Sequence, residues 1–564
     1  MTRASYTDDE LAGGFPLFFM DIYWSGQVFR FSKFAMELES DEDVIQYTSN
    51  LLDFAYRESA EFLGQDVEAN LVSASVIFNE INLLEEWSIG NVLEGSRAQF
   101  CYVVYKEGRP QQKWEDRIVL IDGLVQEPQF GDPGNVEGFC TLSVEVGAVN
   151  EKRLLLDPGL VIDDRFPTPP SSLLGPDPET SIGKSWPIII GSPSGINNYA
   201  TPAYNIERPT SGIITGSLMM IAGHAVSATS IPIQDDQQRT VTKTISILED
   251  IYNNTYSYIA LQATDTIAQP GNDAYVTSAD GSFESVGSTR EMWTGLPTGG
   301  TIAMRNPFGT GDLEYAGDVC RWALHKSQTK ADYGAWAALT PFLNQYRLAG
   351  YINDGEVSAW EWLAGNILPL LPVTVRSGAN GLRPVLNDLH AMTWVQPIIE
   401  IKIGTDEEFG QLGPIETYRT TGELFSSFTL HYAKTGFDQR YESSCTVGAT
   451  DVNNSIPSEY GMISESRYGA SSFAMSTDYV YDQGTAEKIA LGKLRANALP
   501  IRTLEISAPF YYGYLQIGDI IGATADRLFL QDHLMMVIEK EWENGSWRLK
   551  LAFEDNPIQN QRIS

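Results

Sequence analysis

Two runs of partly alternating apolar residues meet at Asn544-Gly545 in the stretch DHLMMVIEKEWENGSWRLKLAFED. That dipeptide favours a two-residue type I′ hairpin turn, because both central positions of such a turn need positive φ. The chain therefore commits at least one region to antiparallel sheet, with Trp542 directly opposite Trp547 across the turn.

The same period of two recurs near the other end. SRAQFCYVVYKEG, DRIVLIDGLVQEP and GFCTLSVEVGAV are rich in Val, Ile, Tyr and Phe and are separated by turn residues, so residues 1–156 read as a β domain. A proline-rich connector spans 157–185. A second β-rich domain covers 186–310, with GIITGSLMMIAGHAVSATSIPI and TYSYIALQAT as its clearest strands.

From 311 to 395 the period changes to about three and a half. GTGDLEYAGDVCRWALHKSQ places Leu313, Ala316, Cys320, Ala323 and Leu324 on one helical face, with Asp312 as N-cap. DYGAWAALTPFLNQYRLAGY and VSAWEWLAGNILPLLP continue the helical pattern, and PVTVRSGANGLRPVLN reads as a hairpin turning at Asn380-Gly381. Residues 396–564 return to strands around one helix, GTAEKIALGKLRANALP, with Thr485 as N-cap, Ile489, Leu491 and Leu494 as its apolar residues, and Pro500 as stop. The strand pairs near the ends of the first and last domains form a weak internal repeat, which alternation alone can also produce. The expected fold is mainly β, multidomain, with a small α-containing middle domain.

Lys and Arg number 38 against 73 Asp and Glu, a net charge of −35, and no cluster of cations offers a phosphate-tracking surface. Stable nucleic-acid binding is not expected. The four cysteines lie far apart without metal-ligand spacing and read as small buried hydrophobes. The first residues lack the apolar core of a signal peptide, and no apolar run is long enough to cross a membrane as a helix, so a soluble chain made in a cytoplasm is expected.

Gly183-Lys184-Ser185 ends like a phosphate-binding loop. Pro178 stands where the first glycine of that loop belongs, and WPIIIGSP after it reads as a strand, not a helix. GSPSG has Pro193 where a nucleophile elbow needs serine. His224, His325, His390, His431 and His533 occur in unrelated contexts. The acidic pairs Glu85-Glu86, Asp163-Asp164, Asp235-Asp236 and Glu407-Glu408 are expected by chance in so acidic a chain. Trp336, Trp360 and Trp362 fall at helical spacing with Leu and Ala and read as core, with a sugar-binding platform as the competing reading. No residue is assigned a catalytic, cofactor-binding or metal-binding role, no cofactor is expected, and the chain is not read as an enzyme.

IGKSWPIIIGSPSGI resembles the Gly-x-x-x-Pro-Ile-x-x-Gly segment of tail-tip or baseplate-hub proteins of long-tailed (siphovirus-like) bacteriophages, through Gly183, Pro187, Ile188 and Gly191. MMIAGHAV, the helical stretch from GDVCRWALHKSQ to RLAGYI, and the closing LEISAPFYYGYLQIGDII and hairpin are similar in collinear order. The resemblance implies a structural virion protein, a homotrimeric hub whose two terminal domains are related to the tail-tube β-barrel. Six barrels from three copies would close the tube and convert its sixfold symmetry to threefold. Implied partners are the distal tail protein, the tape measure protein and tip or fibre proteins, in the virion tail, with DNA passing through the lumen at genome ejection. The chain ends at Ser564 without a long fibre-like extension, so a separate fibre is expected to bind the receptor. Two alternatives stand beside the hub: a glycan-binding adhesin or receptor-binding tail protein using Trp293 or Trp336, and a carboxylate-dependent cell-wall hydrolase.

Overall fold

The computed structural model describes residues 14–59, 70–77, 90–130, 139–146, 153–162, 181–193, 201–206, 218–235, 239–250, 252–261, 265, 275–277, 283–285, 292–294, 296–378, 380–386, 397–404, 408–417, 424–435, 440–449, 456–528 and 530–554. Strands dominate, with five α-helices among the described residues.

The first region contributes β1 (Phe15–Trp24), β2 (Gln27–Ser32), β3 (Met36–Glu39), β4 (Val44–Tyr47), β5 (Leu51–Ser59), β6 (Asn70–Ile77), β7 (Arg97–Lys106), β8 (Ile118–Phe130) and β9 (Phe139–Val146). The β-rich region that follows contains β10 (Leu218–Ala222), β11 (Ser230–Asp235), β12 (Thr240–Thr244), β13 (Ser246–Glu249) and β14 (Thr255–Ala260). Next come α1 (Ala316–Ser327), α2 (Tyr333–Leu343), α3 (Ala359–Trp362), which runs on through a π and a 3₁₀ turn to Leu370, and the hairpin β15 (Val373–Gly378) and β16 (Gly381–Leu386). The last region holds β17 (Glu400–Lys402), β18 (Ser427–Lys434), β19 (Tyr441–Gly448), α4 (Glu459–Tyr468), β20 (Ser472–Ser476), α5 (Gln483–Ala498), β21 (Ile501–Ala508), β22 (Ile520–Ala525), β23 (Leu530–Glu543) and β24 (Ser546–Glu554).

Both ends of the chain feed one 15-stranded sheet, whose central path is β2-β1-β7-β8-β9-β6-β5-β23-β24-β21, with β22 and β17 continuing from β23. The crossing from the first region to the last is the antiparallel contact of β5 with β23 over three pairs, Ser59 with Glu539, Glu58 with Lys540 and Arg57 with Glu541. One hydrophobic core underlies both parts: Phe18, Met20, Ile22, Phe100 and Tyr102 pack in the same cluster as Leu504, Val537, Trp547 and Leu549. The opposite face of β1 and β7 packs on the β3–β4 hairpin through Leu17, Phe19, Leu38, Tyr47 and Val103. The two strand pairs that look alike in sequence, β8–β9 and β23–β24, are both antiparallel neighbours in this sheet.

A second large core gathers α1, α2 and α3 with β18, β19 and α5, so residues such as Phe428, Val447, Ile489 and Leu494 pack with Trp322, Trp336 and Trp362. The β-rich region closes on a smaller core of Met219, Ile221, Ile231, Ile233 and Ile259. The four cysteines are free and buried.

Four local expectations are corrected. Asp312 does not cap α1: its carboxylate accepts the Thr301 hydroxyl and lies 3.7 Å from Arg305. The helix starts after Tyr315, and the Asn344 side chain accepts the Gly317 N–H at 3.0 Å. Thr485 lies inside α5, because Asp482 reaches the Thr485 amide at 2.7 Å and becomes the cap, and Leu491 is exposed. The helical run after Tyr333 stops at Leu343, and Gly350–Ile352 instead form a strand against Ile188–Ile190. In the β15–β16 hairpin Gly378 faces Gly381, so the turn lies one residue earlier than its sequence suggests.

The C-terminal hairpin is as expected. Glu543 pairs with Ser546, Asn544 has φ 51° and Gly545 φ 87°, and the Trp542 and Trp547 rings meet edge-on at 4.8 Å. Gly545→Val should cost about 1–3 kcal/mol by forcing a β-branched residue into positive φ. Urea denaturation reads this directly, and an unchanged midpoint would rule out a type I′ turn.

Candidate functional site at the joint of the terminal strands

β23 alternates until Ile538, where a one-residue bulge separates the Val537–Leu551 pair from the Glu539–Lys550 pair. The bulge reverses which residues face inward. Val537 and Trp547 lie in the shared core, Met536 and Ile538 pack in a different cluster, and beyond the bulge Lys540 turns inward. Lys540 is 2% exposed, as is Glu58 beside it on β5.

The Lys540 ammonium donates to the Gly513 carbonyl at 2.5 Å and the Leu515 carbonyl at 3.0 Å. It also lies 4.5 Å from the Trp547 ring centroid and 5.5 Å from that of Tyr56, a cation–π arrangement. Arg383 of β16 completes the cluster. Its guanidinium donates to the Gln516 side chain and the Ile517 carbonyl and lies 3.4 Å from Asp519. The Asp519 carboxylate in turn accepts the Gln516 N–H at 2.7 Å. Two cations and two carboxylates from three parts of the chain thus meet at the joint, Lys540 and Glu58 buried and Arg383 and Asp519 half-buried at its margin.

Burial dominates the electrostatics here. It pushes the Lys540 amine down to about 8 against the pull of Glu58 and Asp519. It raises the Glu58 carboxyl despite Lys540 and Arg383, and raises Asp519 despite Arg383. The amine is enclosed and spent on two carbonyls, so it acts as a strut between segments.

Aromatic rings seal the joint. The Phe510 carbonyl accepts both the Tyr102 hydroxyl at 3.0 Å and the Trp547 indole N–H at 2.8 Å. Phe18 meets Trp542 at 4.9 Å and Tyr56 meets Trp547 at 5.5 Å, both edge-on, the geometry ring quadrupoles favour.

A second polar row crosses β2, β1, β7 and β8 through the register Arg30, Asp21, Gln99, Asp122. Asp122 is held by Arg97 in a two-point ion pair at 2.8 and 2.7 Å and by Gln99 at 3.0 Å. Lys330, just after α1, reaches the Asp122 carbonyl at 2.8 Å and ties the helical region to the sheet. Burial alone would raise Asp122, but these partners bring it below the usual carboxylate range. Asp21 is fully buried, and burial raises it although Tyr47, Arg30 and Arg117 oppose the shift.

The Gly-Lys-Ser triplet forms a turn, not a phosphate cradle. Gly183 has φ 85° and donates to the Ile162 carbonyl, the Lys184 ammonium lies over the Tyr204 ring at 4.8 Å, and the strand Ile188–Ile190 follows. The second motif glycine, Gly191, has φ 55°, and a side chain there would come within 2.2 Å of the Leu348 carbonyl oxygen. Pro187 and Ile189 offer their carbonyls to Gly223 and Met304. The motif is thus the keystone where the β-rich and helical regions meet.

The structure brings none of the described histidines together. His224 is half-buried; its Nε2 accepts the Ile189 N–H at 3.2 Å, and burial lowers it to about 4. His325 is exposed, His431 and His533 are half-buried, and His390 lies outside the described residues. Each of the four acidic pairs has at least one member outside them. Trp336, Trp360 and Trp362 are buried in the helical core, which removes the sugar platform they offered; the Trp293 side chain lies outside the described residues. Among the described residues there is no group of three His, Cys, Asp or Glu side chains that could hold a metal, and no helix long and apolar enough to cross a membrane.

No protein-family model and no curated protein matches the chain. Among solved structures it is similar to a tail protein from Neisseria meningitidis MC58, at 9% identity, TM-score 0.35, and coverage of 96% of this chain and 97% of that one. It is also similar to the 43 kDa tail protein of prophage MuSo2 from Shewanella oneidensis, at 8% identity, TM-score 0.35, and coverage of 96% and 99%. A prophage tail protein from Listeria monocytogenes EGD-e aligns at 9% identity, TM-score 0.32, and coverage of 97% of each chain.

Lys540→Met should cost about 3–5 kcal/mol at pH 7, because it strands the Glu58 carboxylate in the core. The double replacement Glu58→Leu with Lys540→Met should recover most of that loss, as chemical denaturation would measure. A depressed lysine binds its proton more weakly in the folded state, so wild-type stability should gain a contribution as pH rises from about 8 toward 10.5. The raised carboxyls act oppositely: the part due to Asp21 is present below its unfolded value and lost as pH rises through its folded one. Asp21→Asn should flatten that slope in a pH series of denaturation midpoints, and an unaltered slope would show that Asp21 is not the group titrating.

Proposed function

We propose that the chain is a structural virion protein, the baseplate or tail-tip hub of a long-tailed phage. Three copies close the tail tube, convert its sixfold symmetry to threefold, and anchor tip or fibre proteins. The observation that carries this reading is that the two terminal β regions lie side by side in one sheet over one core. A subunit built so presents two adjacent β units, the number that three copies need to meet six tube subunits. The collinear resemblance along the chain points the same way.

On this reading the sheet-forming parts of residues 1–156 and 396–564 are the two tube-related units, 157–185 connects, and 186–310 and 311–395, with β18 to α5 packed on the latter, form the outer body. The distal tail protein lies above and the tape measure protein meets the channel. No reaction is assigned to the chain. The excess of 73 acids over 38 bases gives a surface that repels DNA phosphates over a Debye length of about 8 Å at physiological salt, which suits a lumen through which a genome slides.

Light scattering of the purified protein, with negative-stain class averages of the same sample, is the test. The expected result is a trimer forming a threefold ring with a central opening. A chain that stays monomeric at every concentration, alone and with tail partners, overturns the proposal.

A further inference from the structure

β20 is the terminal strand of the sheet that also contains β18 and β19. It pairs with β18 in parallel, and two bonds fix its phase: Ser427 N–H to the Ser471 carbonyl, and Thr477 N–H to the His431 carbonyl. In a parallel ladder this turns the main-chain groups of Phe473 and Met475 toward β18 and those of Ser472, Ala474 and Ser476 away from it. The outward edge therefore offers three N–H and three C=O groups in a row. Phe473 stacks on Phe425 and Phe428 at 5.6 and 6.0 Å yet remains 53% exposed, so it overhangs the end of the apolar face.

Bare edges of this kind invite another strand. Among the described residues the one strand of four or more residues exposed at every position is β13, with Ile247 51% and Leu248 46% exposed; β20 is exposed at all its positions but Met475. It too ends its sheet, pairing with β14. The Asp250 N–H to Asn254 carbonyl bond sets the alternation along this hairpin and leaves the main-chain groups of Ile247 and Glu249 facing outward.

Charge selects both occupant and direction. Each copy carries −35, so contact between copies is favoured at neutral or complementary surface, and residues 468–477 hold a single charge-free run up to Thr477. Arg467, exposed at the end of α4, and Glu249, exposed at the end of β13, each have no ion-pair partner among the described residues. Antiparallel pairing with Glu249 opposite Ser472 and Ile247 opposite Ala474 puts Glu249 at the end of β20 that follows α4 and Arg467 in the chain; parallel pairing carries Glu249 to the far end.

We infer that the edge of β20 in one copy of the chain receives β13 of a second copy as an antiparallel strand, with Arg467 facing Glu249 of that copy. The contact joins two different surfaces head to tail, the arrangement that closes into a ring instead of a two-fold pair. It rests on the trimer reading above and names the strands that would build it.

The experiment uses full-length protein in sedimentation velocity over a concentration series, with thermal melting alongside. Ala474→Pro removes only an outward N–H and is tolerated on an edge strand, so it should abolish the oligomer and leave the melting point of the monomer unchanged. Glu249→Arg and Arg467→Glu should each weaken association at least about tenfold, and combining them in one chain should restore it, a rescue that does not depend on Ala474→Pro folding. An oligomer that survives Ala474→Pro and both charge reversals overturns this contact while the trimer stands. Loss of binding to another tail protein, with the oligomer intact, assigns the edge to that partner and overturns a second copy as its occupant. A wild-type chain that never associates overturns both.

Discussion

A single extra residue at Ile538 decides how the two ends of this chain can meet. Without the bulge, the inward positions of β23 beyond Val537 would fall to Glu539 and Glu541, two acids facing Glu58 across the joint. With it, Lys540 and Trp542 turn inward, and the buried acid on β5 finds a cation. The strand crossing is three pairs long, so it could not hold the two regions together alone. The charges choose the register, and the rings of Phe18, Tyr56, Tyr102, Trp542 and Trp547 supply the apolar area around them.

Much of the fold was legible because local chemistry and global architecture agree. The Asn544-Gly545 turn, the strands of the first region and the core side of α1 follow from period and turn residues that tertiary packing did not overrule. Other features depended on partners distant in sequence. Asp312 looked like a cap until Thr301 and Arg305 engaged it, and Asn344 capped the helix from across the fold. Asp482 outcompeted Thr485 because its carboxylate reaches the third amide of α5.

The candidate site was the least legible part. Alternation shows Phe54, Tyr56 and Glu58 along one face of β5, so an acid at an inward position was visible in principle. Its partners were not, because a bulge leaves no mark in a period of two and because Arg383 and Asp519 come from separate regions. The Gly-Lys-Ser triplet shows the converse. Its residues were conspicuous, and the backbone uses Gly183 for a tight turn, while the close approach beside Leu348 falls to Gly191 further along the motif.

The placement of the central region between two runs of the same sheet has a mechanical consequence. The chain leaves the sheet after β9 and re-enters it at β17, and Lys330 on Asp122 and Arg383 on Asp519 add two tie points far apart along it. A body moored at one point swings; each further mooring away from the first removes some of that freedom. The central region therefore cannot shift against the sheet without disturbing the contacts at Asp122 and Asp519 together.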